Sequence, residues 1–163
     1  MLVVCTRDQD LRGWAKNPES GADQWGDLVE LPLGKQQHAT ARLETALGSL
    51  KRDEALCLSA HGSDTEIGDE GSGKTDWTWT VGDIASLLKL NARNDYRGPV
   101  LISACAEAVS NFSAHLAVAL EQEQALNGLW VYGYNNAVPA EISFPRPSRL
   151  DKNSELQGTQ VNY

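Results

Sequence analysis

Four short apolar runs punctuate the chain, and the stretches between three of them carry apolar residues every three or four positions. The runs cover residues 1–6, 55–60, 99–104 and 129–134. Each is rich in Val, Leu or Ile and stops at a polar or small residue, the pattern of a strand buried on both faces. Between them, 36–51 places Ala39, Leu43, Ala46, Leu47 and Leu50 at helical spacing. A second helix is predicted through Ile84, Leu87, Leu88 and Leu90, opened by Thr80-Val-Gly-Asp83, which fits a capping box. A third is predicted over about Ser110–Gln124, with Phe112, Leu116, Ala119 and Leu120 on one side and Asn127-Gly128 as its C-cap.

The remaining stretches lack such periods. Arg7–Gly34 is polar, holds Trp14 and Trp25, and reads as a long irregular connection. His61–Asp76, glycine-rich and acidic, reads as an exposed mobile loop. Pro99 opens a strand, where its missing N–H is tolerated. Strands alternating with helices imply right-handed βαβ units. The expected fold is therefore α/β, a mostly parallel sheet with helices on both faces. One domain over 1–150 is expected, followed by a polar tail, 151–163, expected to be disordered.

Composition narrows the function classes. The net charge is −8 in 163 residues. Phosphate binding relies on clustered Lys and Arg, so neither nucleic acid nor an anionic membrane is an expected partner. No stretch approaches the roughly 18–20 apolar residues of a membrane span, and Met1–Arg7 lacks the basic start and long apolar core of a signal peptide. A cytoplasmic location is expected, and delivery into another cell as an effector is compatible with so small a domain. The three cysteines, Cys5, Cys57 and Cys105, form neither a disulfide framework nor a zinc-ligand pattern. Cys5 and Cys57 lie inside apolar runs and read as small buried hydrophobes.

Cys105 differs, because it ends the third run, as His61-Gly62 ends the second. Ligands of open α/β sheets collect outside the carboxyl ends of the strands. If these two strands are neighbours, a thiol and an imidazole share that rim. An imidazole can remove the thiol's proton. The amides of Gly62 and Cys105 can bind a carbonyl oxygen between the two side chains, with glycine permitting close approach.

Leu56-Cys-Leu-Ser-Ala-His61-Gly62, the helix led by Trp79 to Leu88, and Val100-Leu-Ile-Ser-Ala-Cys105 together resemble the caspase–hemoglobinase fold of clan CD cysteine peptidases. The resemblance spans about Ala55 to Tyr134 and is nearest to bacterial CHAT-like and toxin-type members. It implies a three-layer sandwich, with His61 as general base, Cys105 as nucleophile, and the Gly62 and Cys105 amides as oxyanion hole. Caspases themselves carry Gln-Ala-Cys-[Arg/Gln/Gly]-Gly around the nucleophile. Here Ser103-Ala-Cys-Ala-Glu107 keeps only Ala-Cys, so a true caspase is not expected. Toxin-type members are switched on by inositol hexakisphosphate, which a chain of charge −8 disfavours, so no cofactor is expected.

Asp64, Glu66, Asp69 and Glu70 follow the histidine. An acidic pocket there would select Lys or Arg before the scissile bond, against the plainer reading of a solvated loop. Ser59 and Ser103 precede the reactive pair at matching points and read as small packing residues beneath it. Tyr132-Gly-Tyr134 ends the fourth run and can line the same cleft. Gly68–Thr75 satisfies G-x-x-x-x-G-K-[ST], but it follows no strand directly and opens no helix. His38 and His115 sit on helices without ligand spacing, so no metal is expected. The sequence thus points to a cysteine endopeptidase acting on a protein substrate through an acyl-enzyme, with room for an activating or inhibitory protein partner. The competing class is a catalytically degenerate module that binds a protein through its Trp-bearing loops. A nucleotide binder is a more distant alternative.

Overall fold

A computed structural model describes residues 1–69, 77–105, 111–152 and 156–163. Its core is a six-stranded sheet built from β1 (Leu2–Val4), β2 (Leu28–Glu30), β3 (Leu56–Ser59), β7 (Val100–Ser103), β8 (Trp130–Tyr134) and β9 (Leu156–Gln160). The order is β2-β1-β3-β7-β8-β9, and every pair is parallel except β8–β9. Leu56 pairs with Val100 and Ser59 with Ser103, so β3 and β7 end level with each other. The four apolar runs supply the four central strands, each short enough to be covered on both sides.

Alternation along those strands divides the core. Val3, Leu58, Ile102 and Val131 face one cluster, closed by α2 (Gln36–Gly48), α3 (Val81–Asn91) and α4 (Phe112–Gln122). Val4, Cys57, Leu101 and Tyr134 face the other, closed by α1 (Gln9–Lys16), the turns after it and the segment around Phe144 and Leu150. The expected α/β architecture, a mostly parallel sheet with helices on both faces, is the one the chain adopts. The Thr80–Asp83 capping box forms with both of its bonds. Leu90, expected inside, is 78% exposed. The third helix stops at Gln122, short of Asn127-Gly128, and Gly128 instead donates its N–H to Val161 O at 2.7 Å. Ser110, its expected first residue, lies outside the described residues.

Three irregular readings are corrected. Arg7–Gly34 contains α1 and the edge strand β2. α1 does place Leu11, Trp14 and Ala15 at helical spacing, but over only two turns and with Arg12 also on its buried side, so the stripe is too short to stand out from the polar residues around it. The Arg12 guanidinium donates to the carbonyls of Thr6 and Leu31 at 3.0 Å each and lies 3.3 Å from Glu30, so a charge can sit in the core fully engaged. The polar tail is likewise ordered over 156–160, where β9 extends the sheet antiparallel to β8. An edge strand of this kind is held by ladder hydrogen bonds, so Gln and Thr serve as well as Val. Gly158 also leaves room for the Tyr132 ring, which a Cβ there would meet at 2.7 Å.

The third correction concerns the acidic loop. Its described part folds into β4 (His61–Gly62) and β5 (Glu66–Gly68), which join β6 (Thr78–Thr80) in a small antiparallel sheet with Ile67 buried. Gly68 of the phosphate-loop-like motif ends β5, and residues 70–75 of that motif lie outside the described residues. Asp69 ties this sheet to the end of β1. Its carboxylate accepts from the Thr6 hydroxyl at 2.7 Å, the Arg7 amide and guanidinium at 2.6 Å each, and the Trp77 amide at 3.3 Å. Burial pushes the Asp69 carboxyl up, but these bonds outweigh it and hold the group below the ordinary range. A carboxyl lowered on folding contributes stability that is present above its unfolded pKa of about 4 and lost as pH falls through the folded value. Urea titrations from pH 6 to pH 2 should therefore show stability falling below about pH 4, by about 1–2 kcal/mol more in the parent than in Asp69→Asn.

Candidate active site

β1, β3 and β7 are consecutive in the sheet, and the residues just past their carboxyl ends converge. Ser59 and Ser103 pair in register, so His61 and Cys105, each two positions on, lie at the same level of the rim. Both line one cavity of about 200 Å³. It is also lined by Ser59, Ala60, Gly62 and Ser103, by Leu11 of α1, and by Val138, Pro139, Ala140, Ile142 and Phe144 of the segment after β8. The two motifs also touch: a Cβ on Gly62 would lie 3.0 Å from the Ala104 Cβ, 3.0 Å from Glu66 O and 3.1 Å from Ile67 Cγ2. Any side chain at residue 62 would crowd the end of the strand that delivers the thiol, so glycine suits this close approach.

The direction of the Gly62 amide follows from the hairpin. Ser63 N donates to Glu66 O at 2.9 Å, and Gly62 pairs with Ile67. Antiparallel ladders alternate bonded and non-bonded pairs, so Gly62 occupies a non-bonded position and its N–H points away from β5.

Sequence reasoning missed Asp8. This residue follows β1 and caps α1, its Oδ1 accepting from the amides of Asp10 and Leu11 at 2.9 Å each. Its other oxygen, Oδ2, lies 3.3 Å from His61 Nε2. The Leu11 amide bond, followed by the imidazole contact, lowers the Asp8 carboxyl against a modest opposing effect of burial, so it is ionised near neutral pH. An ionised carboxylate only accepts, which places the proton of a neutral His61 ring on Nε2 and the basic lone pair on Nδ1. The signal was present in Thr6-Arg7-Asp8, a strand end followed by a capping residue, but only the β1–β3 pairing shows that it meets the histidine.

The cysteines separate by environment. Cys5 and Cys57 are fully buried, and burial raises their thiols, Cys5 to about 12 and Cys57 well above the ordinary value. Cys105 is half-buried, and its thiol donates to Val138 O at 3.5 Å.

Of the other site residues expected from sequence, Ser103 lines the cavity while Asp64, Glu66 and Tyr134 are placed elsewhere. Asp64 offers its carbonyl to His115 Nδ1 at 2.8 Å, and Glu66 is exposed on β5. Tyr134 is buried in the core cluster on the α1 side of the sheet. The tryptophans proposed as a docking surface are mostly interior: Trp25, Trp77 and Trp79 are buried, and the half-buried Trp14 donates its indole N–H to Ile142 O at 2.9 Å. Among the described residues, no group of three His, Cys, Asp or Glu is placed to hold a metal ion, and no helix is long and apolar enough to cross a membrane. No family model and no curated protein matches this chain.

Proposed function

We propose that the protein is a cysteine peptidase whose nucleophile is Cys105 and whose general base is His61. The observation that supports this reading is the shared cavity at the ends of neighbouring parallel strands, with Asp8 3.3 Å from His61 Nε2. His61 Nδ1 takes the proton of the Cys105 thiol as sulfur attacks the substrate carbonyl carbon. The carbonyl oxygen becomes an oxyanion that the Gly62 and Cys105 amides are suited to bind. The imidazolium, steadied by Asp8, then protonates the leaving amine as the C–N bond breaks. The resulting thioester is hydrolysed by water, which His61 deprotonates in turn, and the thiol is restored. The Val138 carbonyl that accepts the resting thiol gives way to substrate in the first step.

Alkylation by iodoacetamide at neutral pH tests the reading. Cys105 should be modified at least tenfold faster than Cys5 or Cys57, and at least tenfold faster in the parent than in His61→Ala. A Cys105 that reacts as slowly as an ordinary thiol, with a rate unchanged in His61→Ala, would instead mark a module that binds without chemistry.

A further inference from the structure

We propose that the protein carries a second site, a groove at the other end of the sheet from Cys105, that docks an extended acidic segment of a partner protein through an aromatic or proline side chain. The groove has a volume of about 590 Å³ and is lined by Pro99, Trp130, Tyr132, Pro147, Leu150 and Leu156. Pro99 precedes β7 and Trp130 opens β8, whereas Cys105 follows β7. The length of a four-residue strand, roughly 13 Å, therefore separates the groove from the cleft. A ligand can sit here and leave the thiol open.

The aromatic surface is formed in advance. Trp130 and Tyr132 stack, with ring centroids 6.1 Å apart and planes at 23°. A Cβ on Gly158 would lie 2.7 Å from Tyr132 Cε1 and 3.3 Å from Trp130 Cε3, so this glycine of β9 makes the space that both rings use. Trp130 nevertheless stays 43% exposed, while Trp25, Trp77 and Trp79 are buried. An open indole between proline rings suits the flat apolar side of a proline or aromatic residue.

Charge selects the partner. Arg149 N donates to Arg146 O at 2.9 Å, the bond of a 3-10 turn, in which residues three apart eclipse. Pro147 and Leu150 thus form one ridge, which lines the groove, and the exposed Arg146 and Arg149 form the next. Arg97, also exposed, stands two residues before Pro99. Arg7, Arg12, Arg52 and Arg93 each pair with an acid, but among the described residues no carboxylate pairs with Arg97, Arg146 or Arg149. Solvent ions screen the rest of an acidic surface beyond about 8–10 Å, so these guanidiniums set the local potential. Carboxylates engage such groups bidentately, and tryptophan beside arginine is the composition of an interface centre. A phosphate chain finds less here, because Pro147 opens the turn without an N–H to offer it.

Fluorescence polarisation with short labelled peptides tests the proposal. One peptide alternates Glu with Pro and Phe, a second has Lys for each Glu, and a third has Ser for each Pro and Phe. The first should bind at least tenfold more tightly than either of the others. Trp130→Ala and Arg149→Glu should each weaken its binding at least tenfold. Cys105→Ala should leave it unchanged, and so should Arg42→Glu, an equal charge reversal on α2 against the other core cluster. Arg149 and Arg42 are both exposed, so neither reversal disturbs the fold. Equal binding of the Lys peptide, equal loss in Arg149→Glu and Arg42→Glu, or tighter binding of a labelled oligothymidylate overturns the proposal. So does the absence of binding by every peptide at about 1 mM. Binding is read equally in Cys105→Ala, so none of these outcomes bears on the peptidase reading.

Discussion

Cys105→Ala should melt within a few degrees of the parent and hydrolyse a peptide substrate at least about 10³-fold more slowly, as expected when a covalent nucleophile is lost. The side chain is half-buried at the rim and contributes one weak bond, to Val138 O, so its removal costs the core little. His61→Ala removes the base and should lower turnover by roughly 10²–10⁴-fold. Asp8→Asn is the discriminating member of the series. Asparagine keeps an oxygen for the amides of Asp10 and Leu11, so α1 stays capped, while the charged acceptor at His61 Nε2 is lost. We expect kcat to fall at least tenfold with KM little changed. Asp8→Ser, which caps but is too short to reach the ring, should match it. Full activity in both would remove Asp8 from the mechanism and leave it a helix cap.

Gly98→Ala should be strongly destabilising, by about 3 kcal/mol, because the added carbon meets backbone that cannot turn aside. A Cβ on residue 98 would lie 1.9 Å from Glu54 O and 2.9 Å from the Tyr96 hydroxyl. The surrounding bonds hold this crossing closed: the amides of Arg97 and Gly98 donate to Arg52 O at 2.7 and 3.1 Å, Tyr96 donates to Glu54 O at 2.8 Å, and Leu56 N donates to Pro99 O at 2.9 Å. Relief requires the starts of β3 and β7 to part, which are the strands that carry His61 and Cys105 to the rim. For a chain of this size the melting temperature should drop by roughly 6–12 °C. Gly82→Ala is the matched control. That residue is exposed in α3, where a Cβ would come no nearer than 3.8 Å to another group, the Thr80 hydroxyl, and the change should be neutral or stabilising by up to about 1 kcal/mol. Equal melting of the two variants would show that the crossing at residue 98 can relax.

The elements readable from the residues are those whose own side chains are buried in a regular period. Leu56-Cys-Leu-Ser and Val100-Leu-Ile-Ser are covered on both faces, so they read as continuous apolar runs, and their carboxyl ends mark His61 and Cys105 without any tertiary information. α2 and α4 show their buried stripes for the same reason. α1 shows only a short one, Leu11, Trp14 and Ala15, beside an Arg12 that two carbonyls and Glu30 satisfy, and β9 is held by its ladder with β8. In β9, ladder hydrogen bonds stand in for apolar burial, and a hydrophobicity pattern carries little trace of them. The acidic loop misled for a related reason: Asp69, an apparently solvated charge, is the anchor of a small sheet.

By itself, then, the sequence determined the layered α/β class, the four central strands and the thiol and imidazole at two of their ends, since these follow from local period and from where apolar runs stop. Only the tertiary structure decided that Asp8 stands behind His61, that Asp64, Glu66 and Tyr134 lie away from the cavity, and that apolar residues from 138–144 line the cavity with Cys105. Those outcomes depend on which strands are neighbours and on contacts between residues up to about a hundred and thirty positions apart, such as Trp14 with Ile142. No local window along the chain contains them.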